Sequence, residues 1–148
     1  MSYQERRAIA SLISNIVIVT LYSAFMIQRY PYGDPYSVEV FRFWGAFFVI
    51  LIPVAIIAKI LISILFVILN AIATREVEAD ISDERDRLFE GKANRNSLYV
   101  FALGFMLAMA SLLVDTPPSG MFIILFCGGV VSEIVGDFSQ FHFYRRGS

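Results

Sequence analysis

Cysteine and histidine are almost absent from the chain. Cys127 is the one cysteine, so no disulfide can close within a single copy. It lies in the apolar stretch Ile-Leu-Phe-Cys-Gly-Gly with no base near it. Thiolate rather than thiol is the nucleophile, and apolar surroundings keep a thiol inert. His142 is the one histidine, which excludes a multi-histidine metal site in one chain. Charge is thin as well, at 17% of residues against about 25% in a soluble domain. The net charge of -1 gives no support to direct nucleic-acid binding. No Ser-His-Asp set, no H-E-x-x-H and no P-loop is present. Gly136-Asp137 resembles part of an intramembrane aspartyl protease motif, but position 134 is Ile and no second aspartate stands in the other apolar runs. No cofactor or metal is expected.

What the chain has is apolar residues, 57% of 148, gathered into runs too long for a soluble core. The runs cover 8–27, 43–73, 98–114 and 121–138. A hydrocarbon core of about 30 Å needs about 20 helical residues. The expected fold is therefore an all-α integral membrane protein with four transmembrane helices, forming one membrane domain over 1–148. Arg6 and Arg7 precede the first run as they would in a signal peptide. Its 20 uncharged residues exceed an h-region of about 7–15, so it is expected to be a retained span. The second run, interrupted only by Lys59, would extend to roughly 46 Å at 1.5 Å per residue. It is expected as one long helix, tilted or projecting, with Pro53 as a candidate kink.

The connections are of two kinds. Tyr30-Pro31-Tyr32-Gly33-Asp34-Pro35-Tyr36 and Asp115-Thr116-Pro117-Pro118-Ser119-Gly120 carry turn chemistry, and the tyrosines with Trp44 suit a membrane interface. The connection over 74–97 is charged. Within it Asp80 to Ser97 reads D-I-S-D-E-R-D-R-L-F-E-G-K-A-N-R-N-S, with five acids and four bases. Ser82 suits a helix N-cap, Asp83, Glu84 and Asp86 suit a first turn, and Asp83 with Arg87 forms an i,i+4 pair. Gly91 reads as a hinge. Arg85 and Arg87 interleave with the acids, and no EF-hand spacing is present, so a solvated or partner-binding helix is expected rather than a cation site.

Four spans place the N-terminus, the charged segment and the C-terminus on one side. That side holds nine Lys and Arg, namely Arg6, Arg7, Arg75, Arg85, Arg87, Lys92, Arg95, Arg145 and Arg146, against Arg29 and Arg42 opposite. The positive-inside rule then expects both termini in the cytoplasm. Arg145 and Arg146 after Phe141-His142-Phe143-Tyr144 read as an interfacial anchor.

Three charged residues fall inside apolar runs: Lys59, Glu133 and Asp137. A charge at mid-bilayer costs about 2.5–3.5 kcal/mol on insertion scales, so partners are expected. Glu133 and Asp137 share a helix face with Gly129, Gly136 and Gln140, a stripe expected to turn into the bundle. Counting from Phe41 and Met121 puts Lys59 and Asp137 at similar depth, about 27 and 24 Å, and Glu133 at about 18 Å. Lys59, or Ser14 and Asn15 from the first helix, are the expected partners of Glu133. The expected intramembrane network is thus Lys59, Glu133, Asp137, Ser14, Asn15 and Gln140.

Asp83-Glu84-Arg85-Asp86-Arg87, then Lys92-Ala93-Asn94-Arg95-Asn96-Ser97, then Glu133-Ile134-Val135 with Ser139-Gln140 and Tyr144-Arg145-Arg146, resemble a family of small four-helix bacterial inner-membrane proteins of unknown function. What the resemblance implies is a membrane partner for a cytoplasmic helix-turn-helix regulator. The expected function is a non-enzymatic regulatory or scaffold protein. Its partner-binding set is Asp83, Glu84, Arg85, Asp86, Arg87, Lys92 and Arg95, besides membrane lipid and self-association. The competing expectations are a small oligomeric transporter or proton-coupled channel using Lys59, Glu133 and Asp137, and an accessory subunit of a larger membrane complex.

Overall fold

The structure, a computed structural model, describes residues 3–74 and 84–146. Among the described residues the chain forms four α-helices: α1 (Tyr3–Ile27), α2 (Val38–Thr74), α3 (Glu84–Ser111) and α4 (Pro118–Arg146). All four are long and apolar enough to cross a membrane, as the apolar runs predict. Their ends lie elsewhere than the runs suggest. α1 begins at Tyr3 rather than 8, α2 covers Val38–Thr74 rather than 43–73, and α4 continues to Arg146 rather than 138. Apolarity marks the limits of hydrocarbon, whereas backbone hydrogen bonding continues into any polar residues that tolerate a helix.

α3 departs furthest. It starts at Glu84, inside the charged segment, and passes through Gly91 without a break, so Gly91 is not a hinge. A helical glycine costs about 1 kcal/mol relative to alanine. Burial on both sides of it offsets that cost. Phe89 is 6% exposed and Ala93 3% exposed. The Phe89 ring lies 6.0 Å from Phe143 in stacked geometry and meets Tyr144 edge-on at 5.6 Å. Ser82 and Asp83 lie outside the described residues, so Glu84 and Asp86 are the acids seen in the first turn of α3.

The link between α3 and α4 is short. A 3-10 turn over Leu112–Val114 ends at Asp115, which takes a left-handed conformation with φ 54°. The Thr116 amide donates to the Ser111 carbonyl at 3.3 Å. Pro118 then occupies the first position of α4, where its missing N–H leaves nothing unsatisfied and its fixed φ suits a helix.

α3 and α4 run antiparallel and make the broadest contact. Their backbones meet at a glycine pair: a Cβ on Gly104 would stand 2.7 Å from the Gly128 Cα, and one on Gly128 would stand 2.9 Å from the Gly104 Cα. Gly136 faces Ser97, and Asn96 Nδ2 donates to Ser139 Oγ at 3.3 Å. Ala108, Ser111 and Ser132 are buried along the same seam. Small residues allow such approach, and van der Waals contact then drives association where lipid is as apolar as the side chains.

α1 packs on α4 and α2, and α2 is joined to α4 at two separated places. The first is an aromatic cluster near the start of α2. Trp44 stacks on Phe122 at 5.6 Å, and Phe47 meets Phe126 edge-on at 5.1 Å. The Tyr22 hydroxyl donates to the Phe47 carbonyl at 2.6 Å. Ser119 Oγ lies 2.7 Å from the Tyr30 hydroxyl and accepts from Trp44 Nε1 at 3.3 Å, which fastens both short connections to one residue. The second place is an ion pair, Lys59 with Glu133.

Candidate functional site

Trp44 and Ser119 touch, so they give a common level for α2 and α4. Lys59 lies 15 residues beyond Trp44 and Glu133 lies 14 beyond Ser119, about 22 and 21 Å along each axis at 1.5 Å per residue. That equality brings the two side chains together. Lys59 Nζ donates to Glu133 Oε1 at 3.0 Å and Oε2 at 3.1 Å. Lys59 is thus the expected partner of Glu133, whereas its similar depth to Asp137 is corrected; counting from Phe41 and Met121 set the two helices in the wrong register.

Asp137 turns toward α1 instead. Ser11 Oγ donates to its Oδ1 at 3.1 Å, and Asn15 Nδ2 donates to its Oδ2 at 2.6 Å. Asn15 is 6% exposed and serves Asp137, not Glu133. Ser11 is the residue that the sequence reading missed. Its signal was available, since Ser11 and Asn15 repeat on α1 the four-residue spacing of Glu133 and Asp137 on α4. Glu133 does not point into the bundle as expected: its side chain, like that of Lys59, is 46% exposed. Ser132, beside it, is the residue that faces α3.

Ser14 lines a cavity of about 150 Å³ between α1 and α2, together with Arg7, Asn15, Lys59 and Ser63. Gln140 lies apart from the ion pair. It borders a polar cavity of about 270 Å³ with Arg7, Ser11, Glu90 and Asn94. The two cavities share Arg7 and Ser11, so polar side chains continue from the end of the bundle near Glu90 inward to Lys59. Beyond Lys59 the character changes. Between the aromatic cluster and the ion pair, α2 and α4 leave a groove of about 450 Å³, walled by Phe48, Ile52, Ile56, Phe126, Gly129 and Val130.

These groups can hold and orient charge. A buried carboxylate is tolerable when each oxygen accepts a hydrogen bond, and Asp137 meets that condition. The Lys59–Glu133 pair is a cross-brace between α2 and α4, apart from their aromatic contact. Among the described residues no three His, Cys, Asp or Glu side chains gather as a metal site would require.

The charged set on α3 is separate from this network. Arg85 lies in the first turn of α3; Glu84, Arg87, Lys92 and Arg95 are exposed, and Asp86 is half-buried. Leu88 stands among them, 65% exposed. Lys92 Nζ lies 5.9 Å over the Phe143 ring. Comparison of the chain with protein-family models, curated proteins and solved structures found no match.

Proposed function

We propose that the chain is a non-enzymatic regulatory or scaffold protein of a bacterial inner membrane, whose charged helical extension binds a soluble protein partner. Both termini and the extension then lie in the cytoplasm, in keeping with the nine-to-two distribution of Lys and Arg and the positive-inside rule. One observation carries the reading. The charged start of α3 is a continuation of a membrane span, held against the end of α4 by Phe89 and Ala93. A helix so mounted presents Glu84, Arg87, Lys92 and Arg95 around Leu88 in a fixed arrangement, which lowers the ordering cost of binding. A helix-turn-helix regulator held at the membrane is the partner that the D-E-R-D-R resemblance suggests.

The test uses Leu88→Cys in a Cys127→Ala background. An impermeant maleimide is expected to label position 88 only after cells are opened, and a cysteine-directed crosslinker is expected to capture one soluble protein. Reversing Asp83, Glu84 and Asp86 to lysine is expected to leave insertion unchanged and remove the captured species. The wild-type capture is expected to weaken with salt, since exposed charges are screened over about 8–10 Å near physiological ionic strength. Labelling in intact cells, or capture that survives the reversal, would leave the extension a solvated end of a span. A second reading, a small oligomeric transporter or proton-coupled channel, draws support from the polar residues that continue from Glu90 to the Lys59–Glu133 pair.

A further inference from the structure

We propose that the groove between α2 and α4 is a binding site for one anionic phospholipid, with an acyl chain in the groove and the phosphate held by Lys59 at the adjoining polar cavity. The proposal is independent of the partner-binding reading. Lys59 borders both spaces, the apolar groove of about 450 Å³ and the polar cavity of about 150 Å³. The site therefore has the two-part character of an amphiphile, joined at a single cation.

Length agrees. The groove runs from Phe48 to Lys59 on α2, 11 residues, or about 16 Å at 1.5 Å per residue. One leaflet of a hydrocarbon core of about 30 Å is about 15 Å deep, the reach of an acyl chain. The direction agrees too, since the chain would run from Lys59 toward the aromatic cluster at the opposite interface.

Charge and hydrogen bonding specify the headgroup. The polar cavity is lined by two cations, Arg7 and Lys59, and by hydroxyl and amide donors of Ser14, Asn15 and Ser63. An ammonium has three donors, and Glu133 takes two of those of Lys59, which leaves a third for a phosphate oxygen. Glu133 is then a competitor for the same cation. Glu90 borders the neighbouring cavity with Arg7, and the two oxygens of Asp137 are engaged by Ser11 and Asn15.

This arrangement predicts opposite effects from the two halves of one ion pair. The protein is taken from mixed micelles containing phosphatidylglycerol and phosphatidylcholine, and retained lipid is counted by native mass spectrometry. Wild type is expected to retain one phosphatidylglycerol in preference to phosphatidylcholine. Lys59→Gln is expected to weaken that retention at least tenfold, and Glu133→Gln to strengthen it severalfold. Loss of the ion pair as a brace would move both variants the same way. Gly129→Leu supplies a check that leaves the pair intact: Gly129 lines the groove and a Cβ there meets nothing within 4 Å, so the new side chain is expected to occupy the groove. It is expected to expel the lipid while the thermal midpoint of the empty protein stays unchanged. Equal retention of the two lipids, a common direction for Lys59→Gln and Glu133→Gln, or full retention by Gly129→Leu would each overturn the proposal.

Discussion

Gly128→Leu is expected to break the bundle, although Gly129→Leu, one residue further on, is expected to leave it standing. The two glycines differ in what surrounds them. A Cβ on Gly128 would come within 2.9 Å of the Gly104 Cα, whereas one on Gly129 meets open space. Overpacking a well-packed site typically costs 1–3 kcal/mol and occasionally more. Here the obstacle is backbone, with no flexible side-chain end to swing aside, so a loss of about 3 kcal/mol or more is expected. Gly104→Ala is expected to fall within about 1–3 kcal/mol, because the helices must part by only one methyl group. Unfolding in detergent, followed through Trp44, the one tryptophan, measures all three. A Gly128→Leu protein as stable as Gly129→Leu would show that α3 and α4 do not cross at this pair.

Asp137→Leu is expected to destabilise the protein by more than the loss of two hydrogen bonds suggests. It strands the donors of Ser11 and Asn15, and Asn15 is 6% exposed. A buried donor left without a partner costs about 1–3 kcal/mol, whereas replacing both partners with apolar groups of similar shape is nearly neutral. The double variant Asp137→Leu with Asn15→Leu is therefore expected to recover most of the stability lost by Asp137→Leu alone. Asp137→Asn is expected to be mild, because the amide keeps an acceptor for Asn15 and the Ser11 hydroxyl can turn to accept from its NH₂. Stability measured by denaturant titration in detergent separates these outcomes. A double variant no better than the single would mean that Asn15 has another acceptor.

The spans were legible because runs such as 43–73 have few physical alternatives to a membrane. The charges within them were legible for the same reason, since Lys59, Glu133 and Asp137 interrupt otherwise uncharged sequence. Lys59 was among the partners expected for Glu133, but the assignment of Asn15 to Asp137 and the levels of the charges were not legible. Pairing depends on the relative axial shift of two helices, and that shift is set by contacts such as Ser119 with Trp44 that no local pattern encodes. Ser11 was missed because an intramembrane serine often bonds its own helix, as Thr20 and Ser23 do to the carbonyls of Ile16 and Val19. The Gly104–Gly128 contact was hidden because glycine has no side chain to advertise its face. The helical character of the charged segment was legible in its first-turn acids, but its continuity with the span was hidden because Gly91 reads as a break and hydropathy reports solvent.

α2 raises a question of registration. Its 37 residues extend about 55 Å at 1.5 Å per residue, while about 20 suffice to cross hydrocarbon. Many frames of the helix are thus almost equally oily, and hydrophobicity alone does not select among them. Sliding α2 by one turn, about 5.4 Å, would exchange one apolar surface for another with little change in transfer free energy. It would, however, part Trp44 from Ser119 and Lys59 from Glu133 together. The axial position of the most hydrophobic helix is accordingly fixed by two polar pins, one near each end of the groove, and a bilayer of different thickness acts on α2 against those pins.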